Sequence, residues 1–474
     1  MTIRPLAVAA LALFGTAAGA QTISNVGFVN GIAISGSLTD TTGSGFDSRV
    51  GFFSDITYDP HRNEWWGLSD RGPGGGTLSY ETRLQRFTLD INPSTGAISN
   101  FAIAQTIRFS DGGVAMNGLA PNPAGVLGRS LDPEGFVINP VSGNLLVSDE
   151  YGPSLVEFNR NGDLVRRFTI PDNLVPKVGT ATDYGSLPPT LTSGREPNRG
   201  FEGLAISPDG RYSYAVLQNG TVQDGWTAAS RGQYTRIVKF DNQTGLAVGQ
   251  YAYKLDSAGQ GRGISALVAL GNDKFMILER NNRGVGVGAA LASPDKNVFV
   301  LDLSGASDVS GIALPATGDL PAGLLAAAKG AKVIDLDANT LAALGNRSPE
   351  KWEGLAVGPK LANGQYLLLA GTDNDYSVTQ NGTGTQFDVW FRMADADPYA
   401  TSIQCPVGSV VGCTFTNNAA AAALTGEYAL LPGVLHAYVA NIDGYMAPVP
   451  EPQTWALMGA GLAALALRAR RGRG

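Results

Sequence analysis

Histidine and cysteine are nearly missing from this chain: two of each in 474 residues. Zinc sites are built mainly from imidazole and thiolate, so this scarcity disfavours zinc. A serine–histidine–acid triad would have to use His61 or His436. No Gly-x-Ser-x-Gly elbow accompanies either, and both histidines read as structural. Charge is also scarce, at 16% of residues, and the net charge is −7. That balance argues against a nucleic-acid partner. The Gly72-Pro73-Gly74-Gly75-Gly76 run lacks a following Lys-Ser/Thr, so it is no phosphate-binding P-loop; it reads as a flexible rim loop. Apolar runs of helical period are missing except at the two ends.

What is abundant is glycine, 62 residues, and short runs of Val, Ile, Leu, Phe and Tyr between Gly, Asn, Asp and Pro turns. This is an all-β texture. One phrase recurs. Asp132-Pro133-Glu134-Gly135-Phe136 returns as Phe201-Glu202-Gly203-Leu204-Ala205 and as Trp352-Glu353-Gly354-Leu355-Ala356. Repetition at this period marks one supersecondary unit used several times. A looser version begins at Asp55 and a weaker one at Ile264-Ser265. Each unit is two short strands joined by a tight polar turn, with further strands following, such as Leu84–Leu89, Leu155–Phe158, Arg236–Phe240 and Asn297–Leu301. Four-stranded units at this spacing describe a β-propeller. Six blades are expected, with five or seven as alternatives. The last is closed by strands from both ends, Glu427–Leu431 and Leu435–Asn441 supplying its C-terminal strands. One chain of this kind, a monomer, is expected.

The innermost strand of each blade lines the central channel. Asp55, Glu134, Glu202 and Glu353 open those strands and are predicted to converge on one mouth as metal ligands. The second strands return to the same mouth. They bring Asp70, Arg71, Asp149, Glu150, Gln218, Glu279, Arg280, Asp373 and Asn374. Crowded carboxylates need a cation, arginines or raised pKa values. Oxygen ligands without imidazole favour Ca²⁺. Arginines beside them grip a phosphate or carboxylate through paired hydrogen bonds. Asp149, Glu150, Arg71 and Arg280 are the candidate catalytic residues. Asp70, Arg71, Arg280, Asp373 and Asn374 are the candidate contacts to a small anionic or ester substrate. Gln218 and Ser265 stand where other units carry an acid, so the ring is incomplete.

The ends carry addresses. Arg4, the apolar stretch Leu6–Phe14 and Ala18-Gly19-Ala20 read as a secretory signal over residues 1–20. Export predicts a local disulfide between Cys405 and Cys413. At the other end Val449-Pro450-Glu451-Pro452 precedes an apolar run from Trp455 to Leu467 and then Arg468, Arg470, Arg471 and Arg473. The apolar part is shorter than the ~20 residues of a stable span. Residues 449–474 resemble the PEP-CTERM sorting signal of Gram-negative bacteria. That resemblance implies transient inner-membrane anchoring, removal by an exosortase-type enzyme, and delivery to the cell surface or medium. Between the ends, residues 21–445 read as the propeller domain, with a net charge near −11.

Residues 45 to 400 resemble the phytase-like family, known for "esterase-like activity of phytase". The carriers are Ser54-Asp55-Ile56, Leu68-Ser69-Asp70-Arg71-Gly72, Asp132-Pro133-Glu134-Gly135, Ser148-Asp149-Glu150-Tyr151-Gly152-Pro153, Asn198-Arg199-Gly200-Phe201-Glu202-Gly203, Leu278-Glu279-Arg280-Asn281 and Trp352-Glu353-Gly354-Leu355. The resemblance implies a propeller hydrolase for phosphoesters, with calcium held by clustered carboxylates. Two other readings stay open: a non-catalytic surface or matrix-binding propeller, and a lactonase-like propeller with one calcium ion.

Overall fold

A polar turn joins Asp55–Asp59 to Glu64–Leu68, and Arg83–Ile91 and Ile98–Arg108 complete a four-stranded antiparallel sheet. The same plan recurs in the second sheet (Pro133–Ile138, Leu145–Asp149, Ser154–Phe158, Leu164–Arg167) and the third (Phe201–Ile206, Tyr212–Leu217, Tyr234–Asp241, Leu246–Lys254). The fourth sheet is built from Arg262–Gly271, Lys274–Asn281, Lys296–Asp302 and Ala328–Asp335. The computed structural model describes residues 22–43, 48–259, 261–288, 291–380 and 384–448. The signal at residues 1–20 and the sorting segment 449–474 lie outside the described residues.

The fifth sheet joins the two ends of the domain. Trp352–Lys360 and Tyr366–Thr372 pair onward to Gly433–Asp443, and the N-terminal strand Thr22–Ile34 lies outermost. The innermost strands of the five sheets pack against each other in chain order, and the fifth returns to the first, which closes the ring. The described residues therefore form a β-propeller of five such blades, not the six expected. The sequence reading treated the unit at Glu353 and the closing strands as separate blades; hydrogen bonding between Tyr366–Thr372 and Gly433–Asp443 makes them one. Closure by both ends leaves no inner edge exposed.

The stretch between those two strands is an insertion, a small sheet of Val378–Gln380, Gln386–Phe391, Ile403–Pro406, Thr414–Phe415 and Ala429–Leu430. The expected blade strand at Glu427–Leu431 contributes only Ala429–Leu430, paired within this insertion. Cys405 and Cys413 are bonded there, with an S–S distance of 2.09 Å. A buried Arg49–Asp388 ion pair at 2.7 Å ties the insertion to the first blade.

The core is divided among the gaps between neighbouring blades. Trp66, Leu68, Phe136 and Val147 fill the first gap, and Val137, Leu146, Leu204 and Leu217 the second. Val216, Ile237, Leu267 and Ile277 follow, then Met276, Leu278, Leu355 and Leu368. Phe53, Ile56, Trp65 and Leu369 close the circuit. The glycine of the repeated Glu-Gly phrase follows from this packing. A Cβ on Gly135 would lie 2.5 Å from the Glu202 carbonyl oxygen, and one on Gly203 2.6 Å from the Leu267 nitrogen. Only glycine lets adjacent inner strands approach this closely near the axis.

Candidate functional site

Each inner strand from the second to the fifth blade breaks register at the same place. The shifts fall between Pro133 and Gly135, Phe201 and Leu204, Ile264 and Ala266, and Trp352 and Gly354. The residue inside each bulge is Glu134, Glu202, Ser265 or Glu353. A bulge re-aims its side chain, and all four line one polar cavity of about 200 Å³. The first blade has no such shift, and Asp55 pairs regularly with Leu68. Its carboxylate accepts from the backbone nitrogens of Ile56 and Phe136, both at 2.8 Å. Asp55 therefore braces adjacent inner strands and lies beside the opposite mouth, away from the other acids.

The second strands contribute Asp70, Arg71, Glu150, Gln218 and Arg280 to the polar cavity. Arg71 donates to Asp132 and, at 2.7 Å, to Asn198 Oδ1, and sits 3.6 Å from Glu150. Arg280 donates to Glu353 and, at 2.7 Å, to Ser265 Oγ. Asp149 differs from its neighbour Glu150. Its carboxylate accepts from the nitrogens of Asp132 (2.8 Å), Tyr151 (3.2 Å) and Gly152 (3.0 Å) and from Ser154 Oγ at 2.6 Å. With its acceptors committed to the turn, Asp149 is a positioning residue rather than a base. Asn374 is likewise committed. Its amide donates to Leu431 O at 2.8 Å and its oxygen accepts from Tyr376 N at 3.0 Å. Asp373 holds Lys351 at 2.5 Å. Asp149, Asp373 and Asn374 do not line the polar cavity.

Sequence reasoning missed a set of residues at one position in the repeat. Asp132, Arg199, Arg262, Glu350 and Lys351 lie two or three residues before the inner-strand bulge; Arg262 opens its strand and the others lie on the loops that lead into theirs. All but Asp132 line the cavity. Aligning the units three residues further upstream would have exposed them. The glycine-rich loop is packed rather than free: Tyr151 donates to Gly118 O at 2.7 Å beside Gly76, and Gln386 Nε2 donates to Thr77 Oγ1 at 2.7 Å. His436 is a core residue, 4.6 Å from the Trp352 ring, and burial pushes its pKa down to about 4.

Burial dominates the electrostatics of the polar mouth. It pushes Asp70 up to about 7, helped by the charge of Asp132, and Asp132 up to about 6. Glu134 and Glu202 are raised well above the carboxylate range by burial and then by neighbouring acids, Asp70 for Glu134 and Glu150 for Glu202. Glu350 is pushed up to about 7 by burial and the charge of Asp375. Among the described residues, Glu150 Oε1, Glu353 Oε2 and Asp132 Oδ1 are buried without a hydrogen-bond partner. A larger cavity of about 680 Å³ opens at the other mouth, lined largely by residues such as Ile56, Phe136, Leu204 and Val357. Among the described residues it gathers no acid cluster comparable to that of the smaller, polar end.

Two carboxylate groups have the spacing of a cation site. The oxygens of Asp70, Asp132 and Glu134 lie within 4.8 Å of one another, as do those of Asp70, Asp373 and Asp375. Lys351 already neutralises the second set, at 2.5 Å from Asp373 and 2.8 Å from Asp375. In the first, Arg71 pairs with Asp132 through Oδ2 and leaves Asp132 Oδ1 without a partner, so the three carboxylates fit at most one hard cation. Among the described residues, Glu202 and Glu353 belong to neither set.

The profile of the phytase-like family, described as "Esterase-like activity of phytase", matches residues 48–376, well over half of the chain. The PEP-CTERM protein-sorting motif matches residues 448–471. An uncharacterized secreted protein of Arthroderma benhamiae is 25% identical over 421 residues, covering 69% of this chain and 81% of that one. The motif and the secreted relative agree on export. No helix among the described residues is long and apolar enough to cross a membrane. Among solved structures, a streptogramin B lyase shares 10% identity over 87% of this chain and 98% of its own, with a TM-score of 0.27. A luciferin-regenerating enzyme shares 9% over 89% of this chain and 100% of its own, with a TM-score of 0.30.

Proposed function

This chain belongs to the phytase-like family, and on that premise we propose that it is an exported propeller hydrolase acting on phosphoesters or related esters at the polar mouth. The observation that carries the reading is Glu150, a buried carboxylate whose Oε1 has no partner among the described residues, facing the cavity beside Arg71. Burial, and then the charge of Glu150 next to it, raise the pKa of Glu202 and favour its protonated form. Two adjacent carboxyl groups, one of them favoured in its protonated form, can serve as general base and general acid.

In this scheme Glu150 takes a proton from water. The water oxygen bonds to the phosphorus or acyl carbon, and the bond to the leaving oxygen breaks. That oxygen takes the Glu202 proton, and the proton on Glu150 passes to Glu202 to restore the pair. Asp149 fixes the turn that presents Glu150. Arg71 and Arg280 hold the acids in place and add positive potential over the reacting group. Asp70, Asp132 and Glu134 would hold a divalent cation, Ca²⁺ by the hardness of their oxygens, which would polarise the ester oxygen and lower the pKa of bound water.

One observation favours a non-catalytic ion- or glycan-binding propeller instead: Arg71, Arg262, Arg280 and Lys351 are each neutralised by an acid, as in a purely structural ring. The full chain assayed against phosphomonoesters, phosphodiesters, phytate, simple esters and lactones, with and without chelator, separates the readings. Turnover abolished by Glu150→Gln supports the hydrolase. No turnover on any substrate overturns it, and unchanged turnover in chelator removes the cation.

A further inference from the structure

Five basic side chains line the polar cavity: Arg71, Arg199, Arg262, Arg280 and Lys351. Four have a carboxylate in contact. Arg71 meets Asp132, Arg262 meets Glu279 at 3.0 Å, Arg280 meets Glu353, and Lys351 meets Asp373 at 2.5 Å. Arg199 is the exception. Among the described residues its guanidinium makes no ion pair. It donates to the Asn198 carbonyl oxygen at 2.6 Å and to Gln218 Oε1, both neutral, and its Nε is buried without a partner. Gln218 in turn donates to Glu202, which fixes Arg199 beside the Glu150–Glu202 pair.

We propose that Arg199 is the anion receptor of this cavity and that the group it admits carries a single negative charge next to hydroxyl groups, as in a hydroxycarboxylate or a phosphodiester. This rests on the hydrolase reading for its meaning as a substrate class, but the binding it describes stands on the geometry alone. One uncommitted cation matches one charge. A second negative charge would face Glu150 and Glu353 in a desolvated cavity whose other bases are already neutralised. The unpartnered oxygens of those two glutamates ask for donors, which hydroxyl groups supply. Polyanions are therefore poor ligands unless a divalent cation enters with them.

The test is calorimetric titration of the full chain at pH 7.5 in chelator. The probes are gluconate and glycerophosphoglycerol, each singly charged and hydroxylated, against inorganic phosphate and phytate. The expected order is singly charged probes at least tenfold tighter than the polyanions. Arg199→Gln should weaken the singly charged probes at least tenfold. Arg199→Lys should keep the order at reduced affinity, and a thermal melt should show both variants folded. Gluconate binding alone assigns a carboxylate, and glycerophosphoglycerol alone a phosphodiester. Native-like affinity in Arg199→Gln, tighter binding of phosphate or phytate in chelator, or no binding of either singly charged probe overturns the proposal. Arg199-dependent binding without turnover of any ester would remove the hydrolase reading and leave this one standing. Arg199-independent hydrolysis of phytate would do the reverse.

Discussion

Arg280, at the end of the second strand of the fourth blade, forms a buried ion pair with Glu353 in the inner-strand bulge of the fifth. The contact crosses the gap between blades, so each partner is the desolvated counter-charge of the other. Removing Glu353 leaves Arg280 buried without an ion pair, and removing Arg280 leaves Glu353 only the Lys351 ammonium 3.8 Å away; breaking a buried pair in this way costs roughly 3–5 kcal/mol. Arg280→Ala should lower stability by that order in chemical denaturation. The double variant Arg280→Met with Glu353→Met should regain most of it. A single variant as stable as the native chain would sink the account.

Gly203 of the repeated phrase faces the backbone of the next inner strand, since a Cβ there would press on Leu267 N at 2.6 Å and on Ala266 C at 2.7 Å. Both are backbone atoms of the next inner strand and have nowhere to go. Gly203→Ala should destabilise by about 1–3 kcal/mol, the usual range for overpacking. A denaturation midpoint within error of the native one would contradict it.

Asp149 and Glu150 are adjacent but should fail differently. Glu150→Gln keeps the shape, removes the base, and should reduce turnover about 10²–10⁴-fold with little change in melting temperature. Asp149→Asn loses acceptors from a set of four bonds, so its first symptom should be stability. Kinetics and melts on both variants decide it. Equal melting losses would argue against the division of roles.

Burial holds Asp70 at about 7, Asp132 at about 6 and Glu350 at about 7, all above their ordinary values. Between those ordinary values, near 4, and pH 7 the folded chain keeps protons that the unfolded chain has released. Stability from these groups therefore falls as pH rises through that window. His436, lowered to about 4, acts in the opposite sense below its ordinary value of 6.5. In chelator the native melting temperature should fall from pH 6.5 to pH 8. Asp70→Asn should flatten that slope, and added Ca²⁺ should reverse it by replacing protons as counter-charge. A melting temperature that rises over this range in chelator would contradict the assignment.

The Cys405–Cys413 bond closes a loop within the insertion and touches none of the five blades' strand pairings. Cys405→Ser with Cys413→Ser should leave turnover unchanged, with protease sensitivity rising in the insertion first. Mass mapping of early cleavage sites would check this. First cuts inside the blades would show that the staple supports the ring.

Much of the fold was legible because a propeller repeats itself. The Glu-Gly phrase gave the inner strands, and the turn after each gave the second strands. Blade number was less legible, because Trp352–Thr372 and Gly433–Asp443 are separated by an insertion with strands of its own. Local pattern does not say which strands pair across such a gap.

The site divides in the same way. The residue types at the mouth were set by sequence: Glu134, Glu150, Glu202 and Glu353 with Arg71 and Arg280, and no imidazole among them. Tertiary structure decided which of them are free to act. Asp55 and Asp149 look equivalent to the others in sequence, yet backbone donors consume their carboxylates. Arg199 looks ordinary, yet it is the lining base without an ion pair among the described residues. Composition and spacing fix which kinds of charge are available to the channel. Only the packed blades fix which charges already have partners, because that depends on bulges and on contacts between strands far apart in the chain.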